Sequence, residues 1–138
     1  MNTIERDELR EKLERGDGLQ LVMALPERAY RAKRIPGTRH FETVGQALDA
    51  LDPREEVVVY CATVYCPASI YVYALLEREG YRRVYRYAGG IDDWESAGYP
   101  VESGAPAGHS AEKRRYRTRT HASEPRLRLA RRRWPALA

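Results

Sequence analysis

The chain has 138 residues, 43% of them hydrophobic and 32% charged, with a net charge of +4. This size allows one domain with a substantial core and is too small for two ordinary domains. No apolar run approaches the roughly 20 residues that a membrane-spanning helix needs, and residues 1–15 are too charged for a secretory signal, so we expect a cytoplasmic protein without a membrane span.

Helical and strand patterns alternate along the first three quarters of the chain. In chain order we predict a helix over 4–15, a strand over 19–25, a helical turn from Pro26, a turn at Pro36-Gly37, a helix over 43–51 capped by Thr43, a strand over 56–60, a helix over 67–79, a strand over 83–87 and a helix over 91–97. Such alternation favours a mainly parallel sheet with helices on both faces. Ligands bind beyond the carboxyl ends of the strands in such sheets.

The composition changes from Gly104 onward. Residues 111–138 hold ten basic and two acidic residues, a balance of +8, and this leaves 14 basic and 18 acidic residues, a balance of −4, for residues 1–110. We predict a domain over 1–103 and a linker with a basic, disordered tail over 104–138. The arginines allow weak, nonspecific contact with nucleic acid or acidic surfaces. The alternative is a solvated extension without such a role.

Both cysteines, Cys61 and Cys66, lie in one short segment after the strand over 56–60. A disulfide framework spreads its cysteines along the chain, and a structural zinc site takes four Cys or His ligands. The three histidines, His40, His109 and His121, show no ligand spacing. We therefore expect neither a metal nor another cofactor.

Cys61 is a candidate nucleophile because it stands where a buried strand meets the start of a helix. Loop amides between Cys61 and Pro67 and the positive end of the helix favour the thiolate, so we expect a lowered pKa. The same groups suit an anionic persulfide. The alternative is that Cys61 is a small buried hydrophobe, which is the commonest role of a free cysteine.

Three segments, in this order and spacing, resemble the rhodanese-like family over about residues 4–103. They are Ile35-Pro36-Gly37-Thr38, Val58-Val59-Tyr60-Cys61 with the loop and helix that follow, and the run from Tyr87 to Val101 with its Gly89-Gly90, Trp94 and Pro100-Val101. The resemblance implies a rhodanese-like three-layer α/β/α fold with a mainly parallel central sheet. It also implies a sulfurtransferase, which takes sulfane sulfur from a small donor as a persulfide and passes it to a thiol or other nucleophilic acceptor.

The resemblance assigns the catalytic role to Cys61 and the active-site loop to Ala62, Thr63, Val64, Tyr65 and Cys66. Ser69, on the first turn of the next helix, either supports the loop or caps the helix, and we expect capping. We expect Tyr65 at the mouth of the pocket and Tyr60 among packing residues with solvated hydroxyls. Trp94 is predicted to be core, and Arg34 to be solvated.

The chain departs from the family pattern in two places. Many members carry Asp-x-Arg after the first buried strand, where this chain has Met23-Ala24-Leu25, and many active loops carry glycine and arginine, where this chain has Val64 and Cys66. An arginine pairs with an anionic donor, so thiosulfate is expected to bind poorly.

The loop resembles instead a subgroup with a Cys-x4-Cys spacing. In one interpretation Cys66 attacks a Cys61 persulfide, forms a disulfide and releases sulfide. In the other, Cys66 only packs beneath the loop.

A cysteine-based phosphatase needs an arginine six positions after its cysteine, and the sequence has Pro67 or Val72 there, so a phosphatase is excluded. Three hypotheses stay open: a sulfurtransferase, a non-catalytic interaction or regulatory module, and a Cys61/Cys66 redox pair.

Overall fold

The computed structural model describes residues 1–105, so the predicted basic tail lies almost entirely outside the described residues. Its elements are α1 (Arg6–Arg15), β1 (Gln20–Met23), α2 (Glu27–Ala32), α3 (Val44–Ala50), β2 (Val57–Tyr60), α4 (Ala68–Arg78), β3 (Val84–Tyr87) and α5 (Gly90–Ser96). Each predicted helix and strand is present, with ends that differ by at most two residues. Within residues 1–105 no helix is long and apolar enough to cross a membrane.

The three strands form a parallel sheet in the order β1-β2-β3, which confirms the predicted α/β class. Two isolated parallel bridges extend the sheet, one between Val22 and Arg39 beside β1 and one between Thr3 and Arg86 beside β3. The central strand, β2, is buried along its whole length. This burial is typical of a parallel sheet covered on both faces and explains the continuous Val-Val-Val-Tyr run.

Local signals account for how the helices begin and pack. The Thr43 hydroxyl accepts a hydrogen bond from the Gln46 amide at 3.1 Å, which confirms the predicted cap of α3. Leu9 of α1 and Leu76 of α4 are fully buried. Trp94 of α5 is also buried, as predicted, and its indole N–H donates to the Pro100 carbonyl at 2.8 Å. Side chains from several helices therefore pack into one core around the sheet.

Arg34 closes the domain instead of pointing into solvent, so its predicted solvation is wrong. Its side chain is only 1% exposed and forms an ion pair with Glu102 at 3.0 Å. It also donates to the carbonyls of Tyr30 at 2.9 Å and Gly104 at 2.8 Å. The backbones of Arg34 and Glu102 exchange two hydrogen bonds. The segment around residues 102–104 is thereby held to the domain by a buried charge with its counter-charge.

Candidate active site

Cys61 directly follows the last residue of the central strand and is 1% exposed. The preceding residue, Tyr60, anchors the base of the loop. Its hydroxyl accepts from the Ile35 amide at 3.1 Å and lies 2.7 Å from Thr38 Oγ1. Burial raises the pKa of this hydroxyl. The expectation of a solvated Tyr60 hydroxyl is wrong, because the hydroxyl ties the Ile-Pro-Gly-Thr turn to the strand that delivers Cys61.

The first turn of α5 braces the backbone of Cys61 from the other side. The amides of Ile91 and Asp92 donate to the carbonyls of Cys61 and Ala62 at 2.9 and 3.0 Å. Gly90 has a φ of +70°, and a Cβ atom there would lie 2.7 Å from the Ala62 carbonyl oxygen. Only glycine meets both the left-handed backbone and this close approach. Gly90 and the two amides that follow it thus fix the start of the active-site loop.

The rest of the loop is a tight turn. The amide of Cys66 donates to the Thr63 carbonyl at 3.2 Å, and the amide of Tyr65 donates to Thr63 Oγ1 at 3.3 Å. The turn directs Val64 and Tyr65 outward, and Tyr65 is 90% exposed. Cys66 is turned inward and buried. The loop therefore presents an apolar outer surface and keeps both thiols beneath it.

The Cys61 sulfur faces carbonyl and hydroxyl oxygens. Its thiol is placed to donate to Ser69 Oγ at 3.3 Å and to the Cys66 carbonyl at 3.4 Å, with the Thr63 carbonyl at 3.9 Å. Ser69 is fully buried, and its hydroxyl points at the sulfur, so the expected capping role is wrong. Ser69 is the residue of α4 that contacts the candidate nucleophile.

Burial raises the pKa of the Cys61 thiol to about 11, and hydrogen bonding and charge from Cys66 raise it as well. Hydrogen bonds from the side chain and backbone of Ser69 act in the opposite direction. The expected lowering is therefore wrong for the resting thiol. The physical reason is that a thiolate loses its hydration when the sulfur is buried, and this cost exceeds the help from nearby donors.

Arg86 is a site residue that the sequence analysis did not identify. It lies in β3, is 7% exposed, and reaches under the loop. Its Nε donates to Ser69 Oγ at 2.8 Å, and its Nη2 donates to the Val64 carbonyl at 3.2 Å. Ser69 therefore joins Arg86 to Cys61. A signal was available, because a charged residue inside a strand of a covered parallel sheet is uncommon and marks a specific partner.

The positions of the missing Asp-x-Arg pair are filled by core side chains. Met23, Ala24 and Leu25 are all buried, and the Ala24 amide donates to the Tyr60 carbonyl at 2.8 Å. These residues support the end of β2 without adding charge. The positive charge that contacts the loop comes instead from Arg86, on the opposite neighbouring strand.

A parallel α/β sheet with a buried cysteine at the carboxyl end of its central strand, followed by a tight loop and a helix, defines the class of this protein. The family model described as "Rhodanese-like domain" matches residues 5–97. The chain belongs to the rhodanese-like domain family.

Two curated relatives cover much of the domain. The chain is 34% identical over 113 residues to the "HTH-type transcriptional regulator Rv0324" of Mycobacterium tuberculosis, a match covering 78% of this chain and 48% of the regulator. It is 31% identical over 87 residues to "Thiosulfate sulfurtransferase GlpE" of Actinobacillus pleuropneumoniae, covering 63% of this chain and 72% of that protein. The chain thus spans about half the length of the regulator.

Solved structures share the fold. A rhodanese-like domain protein from Staphylococcus aureus has a TM-score of 0.64 and 24% identity, covering 76% of this chain and all of that one. The BH2092 protein from Bacillus halodurans has a TM-score of 0.69 and 21% identity, covering 74% and 77% of the two chains. At these identities the likeness concerns the fold alone.

Proposed function

We propose that this protein is a sulfurtransferase-type sulfur carrier that holds sulfane sulfur on Cys61. The observation that supports this most strongly is the position of the Cys61 sulfur at the carboxyl end of β2, 3.3 Å from the Ser69 hydroxyl and enclosed by the loop over residues 62–66. Ligands of parallel α/β sheets bind at this edge. The similarity to a thiosulfate sulfurtransferase supports the same reaction class.

The proposed reaction has two displacement steps. The Cys61 sulfur, once it has lost its proton, attacks the sulfane sulfur of a donor. A bond forms between the two sulfurs, and the donor's remaining fragment leaves with the electron pair. A nucleophilic acceptor, such as a thiol, then attacks the outer sulfur and releases Cys61 as the thiolate. The protein ends unchanged, and no external oxidant or reductant is needed.

The loop surface favours an organic persulfide over thiosulfate as the donor. Its outward side chains, Val64 and Tyr65, are apolar or neutral. Arg86 lies beneath the loop, where its Nη2 already donates to the Val64 carbonyl. A dianionic donor approaching from outside therefore meets the uncharged side chains of Val64 and Tyr65. A persulfide that carries an apolar group gains contact area with the same side chains.

The test is the intact mass of the reduced protein before and after incubation with thiosulfate, 3-mercaptopyruvate and an organic persulfide, beside Cys61→Ser. We expect the gain of one sulfur with the organic persulfide, less with thiosulfate, and none in Cys61→Ser. A folded wild-type protein that gains no sulfur from any donor would overturn the proposal. A gain that persists in Cys61→Ser would reassign the carrier to Cys66.

A second candidate function is a Cys61/Cys66 redox pair of the Cys-x4-Cys kind. One observation favours it: the Cys61 thiol donates to the Cys66 carbonyl at 3.4 Å, and Cys66 also acts on the pKa of Cys61. Mild oxidation should then remove two hydrogens and form an intramolecular disulfide. Sulfenic or sulfinic products without a disulfide would exclude it.

A non-catalytic interaction or regulatory module is the remaining alternative. The outward apolar side chains around the loop, Val64, Tyr65, Ile70 and Tyr71, favour this alternative. The similarity to a transcriptional regulator also supports it. Cys61→Ser separates the two functions: a sulfur carrier loses its sulfur-transfer activity, whereas a pure module keeps every contact and cellular role.

A further inference from the structure

Among the described residues, Arg86 is a buried cation with no acidic counter-charge. Across residues 1–105, no carboxylate lies within 4 Å of its guanidinium. In the described residues its guanidinium donates to two neutral oxygens, the Ser69 hydroxyl and the Val64 backbone carbonyl. Removing a charge from water is costly unless another charge compensates it. The uncompensated charge therefore suggests an anion that is absent when Cys61 is a protonated thiol.

The Cys61 sulfur is the group that can supply this anion. Ser69 Oγ lies 3.3 Å from the sulfur and accepts from Arg86 Nε at 2.8 Å. While Cys61 is protonated, the Ser69 oxygen accepts from both neighbours. Once Cys61 is ionised, the hydroxyl can turn its proton to the sulfur and still accept from Arg86. The guanidinium polarises the hydroxyl and strengthens its donation to a negative sulfur.

We propose that Arg86 is a positioning residue of the Cys61 site, whose charge acts through Ser69 to stabilise the anionic forms of the Cys61 sulfur. The thiolate part of this inference stands on the geometry alone, and the persulfide part rests on the proposed function. A persulfide is a stronger acid than the parent thiol, so near neutral pH it is the form that carries the negative charge for Arg86 to compensate. Arg86 thus supplies from β3 the positive charge that the loop itself lacks.

The other titratable groups near the sulfur do not supply this charge. Cys66, from the loop, raises the pKa of Cys61 and so opposes ionisation. On α5, Asp92 is exposed, and Asp93 is engaged by Arg6 at 3.0 Å and by the Tyr87 hydroxyl at 2.6 Å. Arg86, from β3, is the cation joined to the sulfur by hydrogen bonds through one intervening side chain.

The test is the rate of iodoacetamide alkylation of Cys61 as a function of pH, in a Cys66→Ala background where Cys61 is the single thiol. Below the pKa the rate follows the thiolate fraction. An opposite charge within about 4–6 Å lowers the pKa of an acid by about 1 pH unit or more. Arg86→Met should therefore raise the pKa of Cys61 and slow alkylation about tenfold at every pH between about 7 and 9. Ser69→Ala should slow it similarly, and Arg86→Lys should restore part of the rate.

Arg34→Met is the matched control, because it removes a buried arginine that pairs with Glu102 instead of contacting the loop. Circular dichroism must show each variant folded; if Arg86→Met does not fold, Arg86→Lys and Ser69→Ala carry the test. A pH profile of Arg86→Met or Ser69→Ala equal to that of the background would overturn the inference. A shifted profile in a protein that never accepts sulfur would keep the thiolate role of Arg86 and refute the proposed function.

Discussion

The positive charges of two buried arginines, Arg34 and Arg86, are compensated in different ways at two corners of the same domain. In the closing corner, Arg34 and Glu102 form an ion pair, and two carbonyls complete the hydrogen bonding of the guanidinium. In the sulfur corner, formed by Cys61, Ser69 and Arg86, the guanidinium has a hydroxyl and a carbonyl as partners. The closing corner is electrically balanced in the resting protein, whereas the sulfur corner is balanced only when the sulfur is negative.

The difference separates a stabilising role from a functional one. A balanced buried pair resists change, because losing one partner leaves the other charge without compensation. An unbalanced cation contributes little to folding stability and can even oppose it. We therefore expect substitutions in the closing corner to change stability and the Arg86 substitution in the sulfur corner to change sulfur chemistry.

The largest effect is expected from the backbone that braces the sulfur corner. Gly90→Ala combines a left-handed backbone with a clash against Cys61 and Ala62, so it should destabilise the protein by about 3 kcal/mol or more. Gly98→Ala is the control, since Gly98 also has a positive φ but open space around it, and about 1 kcal/mol is expected. Urea unfolding of both variants checks this. Equal losses would mean that the contact with the loop is not a tight one.

The next largest loss of stability is expected from Arg34→Met, and Arg86→Met is its comparison. Arg34→Met leaves Glu102 and two carbonyls without their partner, and we expect a loss of about 2–3 kcal/mol in unfolding free energy. Arg86→Met should cost less than about 1 kcal/mol, because it removes an uncompensated buried charge. Urea unfolding of the two variants under identical conditions decides the matter. A larger loss for Arg86→Met would contradict the comparison.

Tyr60 lies between the two corners and should give an intermediate effect. Tyr60→Phe leaves the Ile35 amide and the Thr38 hydroxyl without this partner in the interior, which should cost about 1–2 kcal/mol. Tyr65→Phe, at the exposed tip of the loop, should be neutral. Thermal unfolding of the two variants measures the difference. No difference between them would show that the turn at residues 35–38 does not depend on the Tyr60 hydroxyl.

The effect that develops most gradually concerns alkaline pH. The folded pKa of Cys61 is raised from 9.0 to about 11, so the unfolded chain releases this proton first. The contribution of Cys61 to stability is therefore complete below the unfolded pKa and is lost as the pH rises from about 9 to about 11. The unfolding free energy of wild type, relative to that of Cys61→Ser, should therefore fall as the pH rises from about 9 to about 11. A constant difference would contradict the raised pKa.

The sequence predicted the fold because its signals are local. The apolar run at residues 57–60 and the Thr43 cap each act within a few positions. The position of Cys61 after the central strand followed from the same local reading. The ends of the elements shifted by only one or two residues, which is the usual uncertainty at helix and strand ends.

The missed features depend on contacts between residues far apart in the chain. Arg34 meets Glu102 from 68 positions away, and Arg86 meets Ser69 from 17 positions away. Neither pairing has a local pattern. The direction of the Cys61 pKa was wrong for a related reason, since the degree of burial of the sulfur depends on how the loop, α4 and α5 pack together.

The central claim is tested most directly by the amount of sulfur that remains on the protein after exposure to an organic persulfide. Intact mass would be measured for wild type, Arg86→Met and Arg34→Met after equal exposure and removal of the donor. We expect wild type and Arg34→Met to carry one sulfur to the same extent, and Arg86→Met to carry several-fold less. Equal sulfur on all three proteins, or none on folded wild type, would contradict the account.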